Sequence, residues 1–217
     1  MQSLPLSGAG PLELLFIGAH CDDIDIGCGG TAIELATARP DASITWVVLS
    51  SNDVREAEAR DSAARLLSGV NDVNVIVKNY RNSYFPYVGA EIKEFFEQLK
   101  QSVNPNVIFT HYKDDLHQDH RLVGELTWNT WRDHLIYEYE IPKYDGGLGS
   151  PNAFVALERD SLDAKIDVLL SAFVSQRSRA WFTDETFRGL ARLRGIECNA
   201  QSGFAEAFYC RKSLIGF

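Results

Sequence analysis

No two of the four cysteines in this 217-residue chain, Cys21, Cys28, Cys198 and Cys210, stand in C-x-x-C spacing. That excludes the usual zinc ribbon and dithiol redox centre, and scattered single cysteines suit a reducing compartment. No apolar stretch approaches the roughly 18 residues that mark a membrane span. Residues 1–11 have no basic segment leading into an apolar core, so no secretory signal is expected and the expected location is cytoplasmic. There is no run of Lys and Arg, and 21 basic residues face 30 acidic ones, for a formal charge of −9. A nucleic-acid partner is therefore not expected. A negative balance does suit a protein that holds a cation.

What is present is an alternation of two kinds of segment. Short apolar runs at 12–18, 43–49, 72–77, 106–110, 134–141 and 153–157 read as strands, with a last one near 204–210. Between them lie helix-like segments at 27–38, 53–67, 90–102, about 119–132 and 160–174. Asp53 is the expected N-cap of the second helix. Residues 79–89 read as a loop, and 176–203 as a helix with flanking loops. Strands alternating with helices predict an α/β fold, a mostly parallel sheet covered by helices on both faces. The length suits a single domain over 1–217, with a motif-bearing core at about 12–140 and a C-terminal elaboration at about 150–217. Such a chain needs no structural metal to fold, so a bound metal would be there for chemistry.

In an open parallel sheet, ligands bind beyond the carboxyl ends of the strands. Two polar clusters fall at such ends. His20, Asp22, Asp23 and Asp25 follow the run at 12–18. His111, Asp114, Asp115, His117, Asp119 and His120 follow the run at 106–110. Four of the five histidines are in these clusters. If the two strands are neighbours, the clusters face each other across one crevice.

The first cluster, Gly18-Ala19-His20-Cys21-Asp22-Asp23-Ile24-Asp25-Ile26-Gly27-Cys28-Gly29-Gly30-Thr31, has the strand, glycines and helix of a dinucleotide fingerprint. Its carboxylates would repel a pyrophosphate, which argues against that reading. A solvated acidic turn in which Asp25 caps the helix is the plain alternative, but it leaves His20 unexplained. Adjacent carboxylates stay ionised only near a cation, and His20 with Asp23 offers one nitrogen and one oxygen ligand, a set suited to Zn²⁺ or a similar ion. Gly27, Gly29 and Gly30 would let the helix start pack closely against the site. In the second cluster, His117 and His120 are three apart at a helix start and share a face. A polar surface helix start is the plain alternative there.

Ala19-His20-Cys21-Asp22-Asp23-Ile24, Gly27-Cys28-Gly29-Gly30-Thr31 and His117-Gln118-Asp119-His120 together resemble the motifs of the LmbE-like zinc deacetylases, which include the PIG-L N-acetylglucosaminyl-phosphatidylinositol deacetylases. The resemblance covers about the first 130 residues and implies a Rossmann-like fold. It implies that His20, Asp23 and His120 hold the metal and that Asp22 is the catalytic base. It makes His117 the residue that assists the transition state and Asp119 its orienting partner. Arg55 falls where some members bind substrate; a charged, exposed helix turn is the alternative. Two positions depart from the pattern. Cys21 replaces the usual Pro, which places a soft thiol beside the metal as an unintended ligand or an oxidation-sensitive group. Asp115 stands where some members have a tyrosine that contacts the oxyanion.

These residues support hydrolysis of an amide by activated water, with the metal and protonated His117 on the oxyanion. The expected partner is a small N-acetylated sugar, nucleotide sugar or glycoconjugate. A homo-oligomer is compatible with the sequence. Trp46, Trp128 and Trp131 read as core residues. Trp181 and Phe85-Pro86-Tyr87 could form a sugar-stacking wall or only pack a loop. The alternatives are a metal hydrolase of another amide or ester, a sugar-binding homologue without turnover, and a nucleotide-binding module.

Overall fold

The computed structural model describes residues 10–214. Most of the N-terminal stretch read for a secretory signal lies outside the described residues. The elements in chain order are β1 (Glu13–Gly18), α1 (Asp23–Ala38), β2 (Ser43–Val48), α2 (Asp53–Leu66), β3 (Asp72–Val77), α3 (Gly89–Ser102), β4 (Val107–His111), α4 (Gln118–Thr130), β5 (Leu135–Tyr139), β6 (Ala153–Ala156), α5 (Arg159–Ala172), α6 (Asp184–Glu197) and β7 (Ala205–Tyr209). All the expected strands are present. One helix, α1, begins four residues before its expected start, at Asp23, and is bent at Cys28. The cap of α2 is Asn52, which accepts the Arg55 N–H, rather than Asp53.

The strands form one sheet in the order β3-β2-β1-β4-β5-β7-β6. The first five run parallel. The two C-terminal strands extend the sheet antiparallel at the β5 edge, so the sheet runs through both the motif-bearing core and the C-terminal elaboration. Alternate residues of a strand face opposite sides, and β1 shows why both sides are covered. Leu14 and Phe16 enter one core, where Phe16 stacks on Phe109 at 4.7 Å; Leu15 and Ile17 enter the other. The first core is closed by α1, α2, α5 and α6, and contains the buried Trp46. The second is closed by α3 and α4 with Phe96 and Trp131. Trp128 packs against the second core only partly buried. Among the described residues no helix is long and apolar enough to cross a membrane.

The order of strands reverses between β1 and β4, which pair directly (Phe16 opposite Phe109). From β1 the chain enters α1 on one face of the sheet, and from β4 it enters α4 on the other. The two polar clusters therefore emerge side by side at the topological switch point, where such sheets bind ligands.

Candidate metal centre and active site

At this point the chain builds a largely buried cluster. His20, Asp22, Asp23, Asp115, Asp119 and His120 are each under a tenth exposed, and His111 is wholly buried. Asp23 Oδ2 is the hub. It lies 3.1 Å from His20 Nδ1, 3.4 Å from His120 Nε2 and 3.1 Å from His111 Nε2, and it accepts the His20 N–H at 2.7 Å. The third edge, His120 Nε2 to His20 Nδ1, is 3.3 Å. A tetrahedral ion with ligand distances of about 2.0–2.1 Å needs donor atoms about 3.3–3.4 Å apart. The triangle of 3.1, 3.3 and 3.4 Å meets that requirement, so these residues fit a divalent metal. Two overlapping sets of potential ligands share His120 among the described residues: His20 with His117 and His120, and Asp23 with His111 and His120. The expected triad takes its members from both.

The far side of each imidazole meets a carboxylate. His20 Nε2 is 3.2 Å from Asp119 Oδ2, and His120 Nδ1 is 3.3 Å from Asp115 Oδ2. Such partners orient a ligating histidine and raise its basicity. Burial alone would lower the His20 pKa, but Asp23, Asp119 and Asp22 outweigh it and push it up to about 10. His120 is likewise raised against its burial by Asp23 and Asp115. Burial would raise Asp23, yet the imidazoles of His120, His20 and His111 hold it well below the usual carboxylate range. The carboxylates thus favour a positive charge on or between the imidazoles, whether a proton or a metal. A raised histidine pKa means that metal must displace a proton. Metal affinity is expected to rise about tenfold per pH unit for each proton displaced, as pH rises towards the His20 value of about 10, with proton uptake by the buffer on binding. Calorimetry in buffers of different ionisation enthalpy would count the released protons; a count of zero would contradict the assignment.

Several expected roles change. It is the Asp119 backbone N–H, not its carboxylate, that meets His117. That carboxylate holds His20 and accepts the N–H groups of Ser83 (2.7 Å) and Phe85 (3.1 Å), tying the 82–85 turn to the centre. Asp115, expected where a tyrosine would meet the oxyanion, is instead buried behind His120. It also accepts the His117 N–H (2.7 Å) and the Lys143 ammonium (2.6 Å). Arg55 reaches back from α2 and donates to Asp22 Oδ1 at 2.6 Å, with its side chain 17% exposed; it is not a free surface charge. His117 is the N-cap of α4, its Nδ1 accepting the Asp119 N–H. Burial and the neighbouring His120 and His20 lower its pKa. That shift favours the neutral imidazole over the protonated group expected, and with Nδ1 accepting the Asp119 N–H a neutral ring carries its proton on Nε2. Burial pushes the Cys21 thiol up to about 11, and its Sγ faces Ser50 O and Ser51 Oγ; it is neither a ligand nor a reactive thiolate. Desolvation drives Asp25 well above its usual value, and it belongs to neither set of potential ligands among the described residues.

His111 is visible in the sequence as a member of the second cluster, but its role is not. Its ring stacks on His120 at 4.0 Å, and its Nε2 accepts the Ala19 N–H at 2.9 Å. Burial and the nearby His120 lower its pKa to about 3. It forms the neutral back wall of the centre.

A cavity of about 270 Å³ opens onto the cluster. His20, Asp22, Asp23, Arg55, His117 and His120 line it, with Asn82 and Ser83 on one side and Lys143, Tyr144, Arg179 and Trp181 around it. Phe85 is buried against His20, with ring centres 6.0 Å apart, and Tyr87 is exposed away from the cavity. Of the expected aromatic wall only Trp181 lines the opening. A larger cavity, of about 370 Å³, is lined by Leu12, Leu35, Phe109, Phe154 and Phe208 near the amino end of β1. It contains no histidine or aspartate, so the smaller, polar cavity is where chemistry can occur.

Comparison with known proteins agrees with this geometry. The fold matches the conserved protein TT1542 from Thermus thermophilus (18% identity, 95% of this chain and 97% of that one, TM-score 0.71). It matches the N,N'-diacetylchitobiose deacetylase of Pyrococcus horikoshii (21% identity, 90% and 82%, TM-score 0.65). It also matches GalB, the 4-carboxy-2-hydroxymuconate hydratase of Pseudomonas putida (15% identity, 95% and 98%, TM-score 0.72), so the same fold also carries another reaction. The profile of the family PIG-L, GlcNAc-PI de-N-acetylase, matches residues 15–131, a span that contains both clusters. The chain belongs to the PIG-L deacetylase family.

Proposed function

We propose that the protein removes the acetyl group from an N-acetylated sugar or sugar conjugate, using a divalent metal, most simply Zn²⁺, held by His20, Asp23 and His120. The observation that carries this reading is the donor triangle of 3.1–3.4 Å at the floor of an open cavity, in a chain of the PIG-L family. Two nitrogens and one carboxylate oxygen suit zinc. When bound there, the ion supplies Lewis acidity towards the amide carbonyl and acidifies water at its open position.

The chain's own groups account for the rest. Asp22 lines the cavity beside ligand Asp23 without belonging to the triangle, and Arg55 fixes one of its oxygens. It can take the proton of the attacking water as the C–O bond forms. It then returns that proton to the nitrogen as the C–N bond breaks, giving acetate and an amine. His117 Nε2–H donates to the oxygen that gains negative charge. Because Nδ1 is occupied by the Asp119 N–H, the imidazole is set to donate from Nε2 alone. His117→Ala is expected to keep metal and lower kcat by about 10²–10³-fold, as loss of an oxyanion donor does. The pH–rate profile should keep its shape, since a neutral His117 does not titrate in turnover; a lost limb would restore the imidazolium role. Arg55 and Trp181 line the cavity and can meet the sugar.

The test is acetate release from a panel of acetamido sugars, nucleotide sugars and glycoconjugates by the metal-loaded protein. Turnover of simple esters or non-sugar amides without acetate release from any acetamido sugar would replace the sugar reading with a broader hydrolase. Addition of water to an unsaturated acid, the reaction GalB's name describes, would remove hydrolysis altogether.

A further inference from the structure

Away from the cavity, Lys165 on α5 and Glu206 on β7 form an ion pair at 2.6 Å, each side chain 5% exposed. Such a pair adds little net stability over an apolar pair of the same size, so its presence calls for another reason. That reason lies in α1. In an unbroken helix the Gly30 N–H would donate to the Ile26 C=O. Here Cys28 leaves helical geometry (φ −148°, ψ 22°), and the ion pair meets the backbone groups on either side of it. Gly30 N–H donates to Glu206 Oε1 at 2.9 Å, and Thr31 N–H to Oε2 at 2.6 Å. Ile26 O accepts from Lys165 Nζ at 2.7 Å. Ile26 N–H in turn donates to Asp22 O at 2.9 Å. A side chain inserted into the ladder is a recognised cause of a helix bend. The bend also needs its glycines. A Cβ on Gly27 would come 2.2 Å from the Tyr139 ring, and one on Gly30 2.6 Å from Leu157.

We propose that Lys165 and Glu206 are positioning residues for the metal centre. By holding α1 open at Ile26–Gly30 they set the direction of its first turn, and so the placement of Asp22 and Asp23 against His20 and His120. Both come from beyond the span 15–131 that carries the two clusters, which gives the C-terminal elaboration a part in the centre. This inference rests on the metal-site reading above.

The experiment measures Zn²⁺ affinity of the full chain by chelator competition, together with thermal unfolding of the metal-free protein. A Lys165→Met/Glu206→Leu double variant carries no unpaired buried charge, and its Gly30–Ile26 hydrogen bond is free to close. It is expected to match or exceed the wild-type Tm and yet bind Zn²⁺ at least about tenfold more weakly, the lower end of outer-shell effects. Glu206→Asp keeps the charge pair, but its shorter arm cannot span both N–H groups. It should show a smaller loss of affinity, with kcat at saturating Zn²⁺ lowered and KM unchanged. Wild-type affinity in Glu206→Asp, or in a folded double variant, would mean that the pair only stabilises and would overturn the proposal. Should the double variant not fold, Glu206→Asp decides. Failure of the wild type to bind Zn²⁺, or wild-type binding by His20→Ala, would instead remove the metal-site reading itself.

Discussion

Asp22→Asn is expected to keep the metal and to lower kcat by about 10²–10⁴-fold, the range for loss of a general acid–base group. The separation of the two effects follows from position. Asp23 Oδ2 is the corner of the donor triangle, whereas the Asp22 carboxylate turns to Arg55. Asn keeps an acceptor for Arg55, so the local geometry should hold while the basic oxygen is lost. Metal content by elemental analysis and kcat on the same preparation provide the check. Loss of metal, or an unchanged kcat, would mean that Asp22 and Asp23 have exchanged roles.

His120→Ala is expected to weaken metal binding by more than about 100-fold, since even outer-shell changes cost 10–100-fold, and to remove activity with it. The fold should survive. Each face of the sheet is closed by its own apolar core, and Asp115, which would lose His120, keeps Lys143. His20→Ala should behave alike. His111→Gln, which keeps an acceptor for the Ala19 N–H, should retain metal within about tenfold. The three variants together separate the two overlapping ligand sets. Metal loss in His111→Gln with retention in His20→Ala would place the ion with Asp23, His111 and His120 instead.

Much of the fold is legible in the sequence because its signals are local. The runs at 12–18 and 106–110 are apolar at successive positions, as strands buried on both faces must be, and their order with the intervening helices predicts a parallel sheet. The helix expected at 53–67 differs only at its cap, where Asn52 and Asp53 are chemically interchangeable and only the backbone conformation chooses between them. Helix α1 begins earlier than its sequence suggests, at Asp23, and continues through Gly27, Gly29 and Gly30 although glycine is a poor helix former. Ile26 O and Gly30 N–H, on either side of its bend, meet Lys165 and Glu206, more than a hundred residues away in the chain.

The same division holds for the site. Residue types and spacing are enough to identify His20, Asp22, Asp23, His117 and His120 as candidates, because the pairing of β1 with β4 makes two local clusters into one. Which atom meets which is not in the sequence. Asp119 is two residues from His117 yet turns its carboxylate to His20, because the helix cap has committed His117 Nδ1 to the backbone. Asp115 is a buried partner of His120, and Arg55 a partner of Asp22. Burial and two adjacent histidines lower the His117 pKa. Side-chain chemistry and its period along the chain thus determined the elements and the chemistry they can hold. Protonation states, orienting partners and the bend that sets Asp22 and Asp23 were decided by desolvation and by contacts between distant segments, which arise only once the sheet has closed.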